Sequence, residues 1–273
     1  MNKLHKVILV CSALLFGNAN AEEYSLSIQP ILSKDKMMSA YQPLADYLTV
    51  QTGHTIKIKT YRNIFTYWQK MKTGKDFDLV LDAAHFTDYR IQNNNFTVLV
   101  KYPDTVSFAL VTHEDLSVLE PEELILKHVA TVPSPGMGGI RLYEIYNDPS
   151  RLPREVSVPN SNEAIKAIID GHADAAIIPS PLVENYEFLN TVLTTRSVPH
   201  MGLSASPNVP LEVRKNIIDA LTNAYKTSDG KLMLEEVGLT EFVVTSAEEY
   251  SGYSKLLKDV FGYTPSLADI TEN

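Results

Sequence analysis

Hydrophobic and polar positions follow the same order twice in this chain, about a hundred residues apart. The first copy, residues 65–81, has apolar positions at helical spacing up to Gly74, followed by an acidic turn and a short apolar run. The second copy, residues 162–178, repeats that order around Gly171. Because glycine commonly ends helices and short apolar runs form buried strands, each copy predicts a helix, a turn and a strand that runs into a loop. Two such units predict two similar lobes facing each other across a cleft.

The flanking patterns extend each unit. Four alternating or apolar runs predict strands, over residues 24–28, 55–61, 129–132 and 155–158. Apolar residues at helical spacing predict helices over 38–50 and 140–146. Each unit then reads βαβαβ, which is typical of parallel strands joined by right-handed crossovers. The sequence therefore predicts an α/β protein of two lobes, each a mainly parallel sheet flanked by helices, with the ligand cleft between them.

The order of these elements also predicts how the chain is divided. Residues 22–107 are expected to form the first part of lobe 1, and residues 108–200 to form lobe 2. Residues 201–273 are expected to return to lobe 1 and to end in helices, over 210–225, near 230–237 and over 247–261.

The first 21 residues have the features of a cleavable signal peptide. Lys3 and Lys6 precede a ten-residue apolar run, and Ala19-Asn20-Ala21 is a small-residue cleavage site. The run is too short to span a bilayer. A lipoprotein cut before Cys11 is the alternative, but Val10 stands where a small residue is normally required. The mature protein is therefore expected in the periplasm, starting near Glu22.

Composition narrows the function classes. Loss of Lys3 and Lys6 would change the net charge of −9 to about −11, and no run of basic residues suggests nucleic acid or an anionic membrane as partner. The single cysteine, Cys11, lies in the leader. There is no nucleophile elbow, no zinc-binding helix and no metal spacing among the seven histidines. These patterns predict a protein without catalytic residues, metal or cofactor.

Several segments resemble the periplasmic solute-binding proteins of phosphate, phosphite and phosphonate ABC importers. The resemblance rests on residues 28–48 with Gly53, on Phe77-Asp78-Leu79-Val80, and on residues 162–175. It implies the type II periplasmic binding protein fold, a phosphonate-like or phosphate-like oxyanion as ligand, an ABC permease as partner, and a monomer. The loop at 134–139 differs from the hydroxyl-rich loop of that family, because it has one hydroxyl, on Ser134.

The loop before the predicted helix at 140–146 is the main candidate binding segment. Gly136, Gly138 and Gly139 would let backbone N–H groups approach a ligand, and the helix N-terminus would add a favourable dipole. Ser134 could add a hydroxyl, and Arg141 a bidentate contact to an anion. The alternative is an ordinary strand-to-helix turn with Arg141 in solvent.

Other candidates follow predicted strands. Tyr61 could form a wall of the site and Asn63 a hydrogen bond, unless Tyr61 packs in the core and Asn63 only caps a helix. His85 is expected in the loop after the third strand, where its imidazole could reach a ligand oxygen, or it is a surface-loop histidine. Asp82 would repel an oxyanion unless it neutralises His85 or binds a cationic part of the ligand. Four further loop candidates are Ser33, Asn160, Ser161 and Ser180.

The leading hypothesis is a non-catalytic protein that captures a small polar solute between its lobes and docks on an ABC permease. A periplasmic protein that reports a ligand to a membrane sensor kinase or cyclase is the alternative. An enzyme built on the same fold is a third, weaker possibility, because the sequence lacks a nucleophile or metal motif.

Overall fold

The computed structural model describes residues 21–265, so the predicted signal peptide lies almost entirely outside the described residues. The strands are β1 (Glu23–Ile28), β2 (Thr55–Lys59), β3 (Leu79–Asp82), β4 (Thr97–Lys101), β5 (Thr105–Val106), β6 (Phe108–His113), β7 (His128–Thr131), β8 (Arg154–Ser157), β9 (Ala175–Pro179), β10 (Leu189–Thr194), β11 (Val198–Pro199), β12 (Gly202–Ala205) and β13 (Val243–Val244). The α-helices are α1 (Lys34–Thr52), α2 (Ile64–Met71), α3 (Ala84–Asn94), α4 (Met137–Ile145), α5 (Ser161–Ile169), α6 (Ser180–Val183), α7 (Leu211–Thr222), α8 (Ser228–Glu236) and α9 (Ala247–Tyr250). Short 3-10 turns cover Pro121–Leu124, Ala224–Lys226 and Tyr253–Leu257.

These strands form two large sheets, which define lobe 1 and lobe 2. The lobe 1 sheet has the order β13-β4-β12-β3-β1-β2, and the lobe 2 sheet has the order β10-β6-β9-β7-β8. In lobe 1, β1 lies between β2 and β3 and is parallel to both. In lobe 2, β7 lies between β8 and β9 and is parallel to both. The two predicted βαβαβ units are therefore confirmed, and with them the two-lobed α/β fold.

The remaining strands make both sheets mixed. Strands β12 and β13 in lobe 1 pair antiparallel to their neighbours, as do β6 and β10 in lobe 2. Since β3 and β4 are both antiparallel to β12, they run in the same direction, and β9 and β10 share a direction because both are antiparallel to β6. Among the described strands, only β12 and β13 in lobe 1 and β6 in lobe 2 run against the others of their sheet, so both sheets are mixed but mainly parallel in direction, as predicted.

Two short strands connect the lobes. Strand β5 leads from lobe 1 into lobe 2, β11 leads back, and the two pair antiparallel with Val106 opposite Val198. The crossings therefore lie side by side, an arrangement that suits a hinge between two lobes. The predicted division of the chain at residues 107 and 200 falls beside these strands and stays a prediction.

Each unit has the same polar residue at the start of its second helix. The Asn63 side chain accepts a hydrogen bond from the Thr66 N–H (2.8 Å) at the N-terminus of α2. The Asn160 side chain accepts one from the Glu163 N–H (3.1 Å) at the N-terminus of α5. Because asparagine at this position satisfies an N–H group that has no partner within the helix, both residues fix where their helices begin.

The acidic turns of the two units also make matching contacts. The Asp78 carboxylate accepts hydrogen bonds from the backbone N–H and the hydroxyl of Ser25 in β1, both at 2.8 Å. The Asp174 carboxylate accepts one from the His128 N–H at the start of β7 (2.8 Å). Each aspartate thus ties the strand of the repeated pattern to the first strand of its own unit.

Replacing Asp78 by alanine is expected to lower the free energy of unfolding by about 2 kcal/mol, because hydrogen bonds to a charged acceptor are lost and the Ser25 donors are left partly buried. Urea unfolding of the purified variant would measure the loss. Glu241→Ala is the matched control, since it removes an exposed carboxylate from an irregular segment and should change stability by less than about 0.5 kcal/mol. Equal effects of the two substitutions would contradict the assigned role.

Helix α3 is the main element that the sequence pattern does not predict. Its sequence is polar, yet residues 84–90 are buried. The burial is possible because Arg90 forms an ion pair with Asp82, and both side chains have no exposed surface. Tyr67 and Thr87 donate further hydrogen bonds to the Asp82 carboxylate, and Arg90 donates one to Ser204 (2.9 Å).

The C-terminal residues 247–263 cover α3. Asp88 accepts a hydrogen bond from the Ser254 N–H (2.8 Å), and the Trp68 indole donates one to the Phe261 carbonyl (2.8 Å). This segment contains only α9 and a 3-10 turn, so the prediction of one helix over 247–261 is wrong. The left-handed backbone of Gly252 (φ 86°) separates the two elements. Within residues 21–265, no helix combines the length and the apolar character that crossing a bilayer requires.

Candidate functional site

A cavity of about 440 Å³ lies between the two lobes and is called the cleft below. Its walls come from the loop between β1 and α1 in lobe 1, from α4, α5 and α6 in lobe 2, and from the crossing strands. Apolar side chains dominate the walls, including Ile31, Leu32, Met137, Leu182, Val198 and Met201. No residue that lines this cleft is Asp, Glu, Lys or Arg.

Two helices of lobe 2 begin at the cleft. Gly136, Met137 and Gly138 line it at the N-terminus of α4, and Ser161 and Asn162 line it at the N-terminus of α5. The first N–H groups of a helix have no partner inside the helix, and the helix dipole places partial positive charge there. The N-cap residue of α4 is Gly136, which has no side chain to occupy these donors. An anion that enters the cleft would therefore meet backbone donors from two helices.

The glycines of α4 also have a packing role. A Cβ at Gly138 would lie 2.2 Å from the Thr131 hydroxyl oxygen, and one at Gly139 would lie 2.2 Å from the Ser134 backbone nitrogen. The helix can thus start close to β7 and its loop only if these positions have no side chain. Of the three predicted glycines, Gly136 and Gly138 line the cleft, whereas Gly139 is not among its lining residues.

His200 lines the cleft between β11 and β12, and the sequence analysis did not select it. Its Nδ1 accepts a hydrogen bond from the Met201 N–H (2.8 Å), so the neutral ring carries its proton on Nε2. Burial lowers the pKa of His200, which favours this neutral form. The ring also lies beside Tyr102, with 5.0 Å between centroids. Nothing in the local sequence distinguishes this histidine, because its position depends on how the chain returns to lobe 1.

His85 lies elsewhere than predicted. It is the second residue of α3, not a loop residue, and its side chain is fully buried. Its Nε2 lies 3.0 Å from the Pro135 carbonyl oxygen, so it forms a direct contact between lobe 1 and lobe 2. Burial lowers the pKa of His85 to about 4, and the ring is neutral at pH 7. His85 is not among the residues that line the cleft.

Asp82 would repel an anion if its carboxylate faced the cleft, but Asp82 does not line the cleft. Its carboxylate is fully buried and contacts Arg90, Tyr67 and Thr87. The expectation that Asp82 neutralises His85 or binds a cationic part of the ligand is therefore not met by its direct contacts.

Ser134 and Arg141 do not line the cleft. They line a second cavity, on the other side of α4. The side chain of Arg141 is 3 % exposed, which excludes the alternative of an arginine in solvent. One of its terminal nitrogens contacts Glu144, and the other donates to the Arg196 carbonyl (2.9 Å). In this arrangement the guanidinium belongs to the second cavity and contacts no lining group of the cleft.

The other predicted residues divide between the cleft and its surroundings. Ser161 lines the cleft, directly after Asn160, which caps α5. Ser180 is the first residue of α6 and stands in the sequence between two prolines that line the cleft. Its hydroxyl accepts a hydrogen bond from the Ser107 hydroxyl (2.8 Å). Ser33 is exposed at the N-terminus of α1.

Tyr61 packs in the core and Asn63 caps a helix, the two roles given above as alternatives to ligand contact. The ring of Tyr61 stacks on Phe77 with 5.8 Å between centroids, and its hydroxyl lies 3.1 Å from the Ser27 hydroxyl. Burial raises the pKa of Tyr61 to about 12. Asn63 caps α2, and neither residue lines the cleft. The described residues also include no group of three or more His, Cys, Asp or Glu side chains placed to hold a metal ion.

Residues 26–250 match the family model described as "ABC transporter, phosphonate, periplasmic substrate-binding protein". This match covers both sheets except the first three residues of β1, together with the crossing strands and all cleft-lining residues. No curated protein sequence matches the chain.

Solved structures with the same fold include three whose sequence identity to this chain is low. A binding protein component of an ABC phosphonate transporter from Pseudomonas aeruginosa has 13 % identity and a TM-score of 0.73, over 87 % of this chain and 86 % of that one. PhnD1 from Prochlorococcus marinus, in complex with methylphosphonate, has 14 % identity and a TM-score of 0.75, over 86 % and 97 %. A Xanthomonas citri protein bound to ATP has 11 % identity and a TM-score of 0.69, over 87 % and 99 %. At these identities the likeness establishes the fold.

Proposed function

This chain belongs to the family of periplasmic substrate-binding proteins of phosphonate ABC transporters, and we propose that it captures a small oxyanion with an apolar substituent for such an importer. In this proposal the ligand binds in the cleft, and the two lobes close around it. The role is one of binding and delivery, without a catalytic step.

One observation carries the proposal: two helix N-termini face an apolar cavity that has no charged side chain on its walls. The backbone donors at Gly138 and Ser161 would receive the anionic oxygens, and the protonated Nε2 of His200 could add a donor from the connecting segment. Such fixed donors act strongly in a site from which closure excludes water.

The walls also favour one kind of substituent. Ile31 and Leu32 approach from lobe 1, while Met137 and Leu182 approach from lobe 2. An alkyl group would bury apolar surface against these side chains, at about 25 cal/mol per Å². An ammonium group would lose its hydration without finding a carboxylate, which opposes binding. The proposed ligand class is therefore an alkylphosphonate, in preference to an aminoalkylphosphonate.

Calorimetric titration of the mature protein with methylphosphonate, ethylphosphonate and 2-aminoethylphosphonate tests this selectivity. The two alkyl compounds are expected to bind at least tenfold more tightly than the amino compound, which corresponds to about 1.4 kcal/mol or more. Tighter binding of 2-aminoethylphosphonate would contradict the proposed ligand class. No binding of any of the three, or of phosphate, would contradict the oxyanion proposal as a whole.

Substitution of Ser161 by aspartate tests the location of the site. A carboxylate at the first residue of α5 would repel the oxyanion and compete for its donors, so methylphosphonate affinity should fall at least a hundredfold. Ser228→Asp is the matched control, because Ser228 is the exposed first residue of α8 and does not line the cleft. Equal affinities of the two variants would place the ligand elsewhere.

The proposal includes export and delivery. Cleavage after Ala21 would release a mature protein that carries its ligand as a monomer to the ABC permease. Neither nucleic acid nor a cofactor has a part in this role.

A further inference from the structure

A second cavity, of about 1370 Å³, lies between helix α4 and the C-terminal residues 252–265; we call it the rear cavity. Residues 196–198, which lead into and begin β11, complete its wall. Val198 is the one residue that lines both the rear cavity and the cleft within the described chain. A molecule in the rear cavity would therefore contact lobe 2, the strand that connects the lobes, and the segment that covers α3 of lobe 1.

The rear cavity differs from the cleft in its charge. Its walls include four cationic residues and two acidic ones, namely Arg141, Arg196, Lys255, Lys258, Glu144 and Asp259. Cations thus outnumber carboxylates there, although the whole chain has a net charge of −9. Positive groups gathered in a concave surface raise the local concentration of anions.

Arg141 is the buried group of this wall. Its side chain is 3 % exposed, and its Nε has no hydrogen-bond partner among the described residues. The guanidinium is held in place by Glu144 and by the Arg196 carbonyl. A buried cation with incomplete hydrogen bonding is costly, and an anion nearby would reduce that cost.

The size and the walls indicate what kind of anion would fit. The volume exceeds what a small oxyanion fills, since pockets for larger organic ligands span about 300–1,000 Å³. Tyr143 and Tyr253 add aromatic surface to the walls. Planar rings stack well on such surfaces, and arginine and lysine suit phosphate groups.

We propose that the rear cavity is a second binding site, which takes an aromatic organic phosphate through Arg141, Arg196 and Lys258. This site is separate from the cleft and does not depend on which ligand the cleft binds. An occupant that contacts both lobes and residues 196–198 would stabilise the arrangement described here.

Fluorescence titration with 1-naphthyl phosphate tests the proposal, in the Ser161→Asp background so that the cleft does not contribute. Saturable binding with one site per chain is expected. The double variant Arg196→Glu/Lys258→Glu should weaken it at least tenfold, because both side chains are exposed on the cavity wall and reverse their charge. Lys231→Glu is the matched control, an exposed lysine of α8 that does not line the cavity. Absence of binding, or equal binding to both charge variants, would overturn the proposal.

The chain itself offers a competing source of anionic groups, because Asp269 and Glu272 follow Pro265, a residue of the cavity wall. The same titration is therefore repeated with Asp269→Asn/Glu272→Gln. Equal affinity with and without these carboxylates supports an external phosphate as the occupant. If 1-naphthyl phosphate binds only after these carboxylates are removed, the proposal of an external ligand is overturned. The cationic side chains would then be the binding partners of the chain's own carboxylates.

Discussion

Replacing Arg90 by methionine is expected to lower the free energy of unfolding by about 3–5 kcal/mol. The substitution leaves the Asp82 carboxylate in a fully buried position without its countercharge, which is the costly way to break a buried ion pair. It also removes the hydrogen bond from Arg90 to Ser204, which links α3 to β12. Urea unfolding at pH 7.5 would show the loss, and the fluorescence of Trp68, the single tryptophan and a fully buried one, would report it.

The double variant Asp82→Leu/Arg90→Met is the control for this interpretation. With both charges removed, no uncompensated carboxylate remains, and apolar replacements of buried ion pairs are often tolerated. We therefore expect the double variant to recover at least half of the loss. If the double variant is as unstable as Arg90→Met, the burial of an unpaired charge is not the cause. A loss below about 1 kcal/mol in the single variant would show that the pair contributes little.

The stability of the protein is expected to fall by about 3 kcal/mol as the pH drops from 6.5 to 4, through His85 alone. Burial lowers the pKa of His85 from 6.5 to about 4 in the folded state, while the unfolded chain keeps the ordinary value. Above pH 6.5 both states are neutral, so the full stability is present. Between pH 6.5 and 4 only the unfolded state takes up the proton, and each pH unit costs about 1.4 kcal/mol.

His85→Gln is the variant that isolates this effect. Its amide N–H can still donate to the Pro135 carbonyl, but it does not titrate. The pKa of His200 is lowered by burial as well, and that contribution is present in both proteins and cancels in the comparison. Urea unfolding midpoints measured from pH 7.5 to 4 should therefore fall less steeply in His85→Gln than in the parent. Parallel curves would disprove the assignment to His85.

His85 also connects stability to the lobe arrangement. Its Nε2 contacts the loop that precedes α4, while its ring packs on Phe86 within α3. The charged groups that act on it are Asp82 and Arg90 in lobe 1 and Arg141 in lobe 2. Any movement that separates the lobes at this point would hydrate the ring and bring its pKa back towards 6.5. Acid is thus expected to weaken the contact between lobes as well as the fold.

Local sequence patterns determined the two-lobed α/β architecture. The helix–glycine–turn–strand order recurs at 65–81 and 162–178, and the periods of helix and strand are visible in each copy. The capping role of Asn63, one of the two roles that its position predicted, is visible in the sequence because the side chain and the N–H group that it caps are only three residues apart. The family resemblance rested on segments of this kind, and the match over residues 26–250 confirms it.

The tertiary structure decided which side chains reach the cleft. Residues that line it come from the loop after β1, from α4, α5 and α6, and from both crossing strands, and their meeting depends on the packing of one lobe against the other. Arg141 illustrates this: the sequence placed it correctly near the start of α4, but the orientation of the helix directs its side chain to the rear cavity. His200 reaches the cleft only because β11 crosses back beside β5.

Local sequence patterns did not predict the buried polar pairs either. Helix α3 has no apolar stripe, and it is stable inside the protein because Arg90, Asp82 and Ser204 meet from three elements. The periodicity of apolar residues predicts that such charged residues are exposed, because charges are seldom buried without a partner. The partner is distant in the chain and cannot be recognised from the local sequence. The sequence by itself thus determined the elements, their order and the family, because these depend on local periodicity. The surfaces that face the ligand depend on contacts between residues far apart in the chain, and only the tertiary structure decided them.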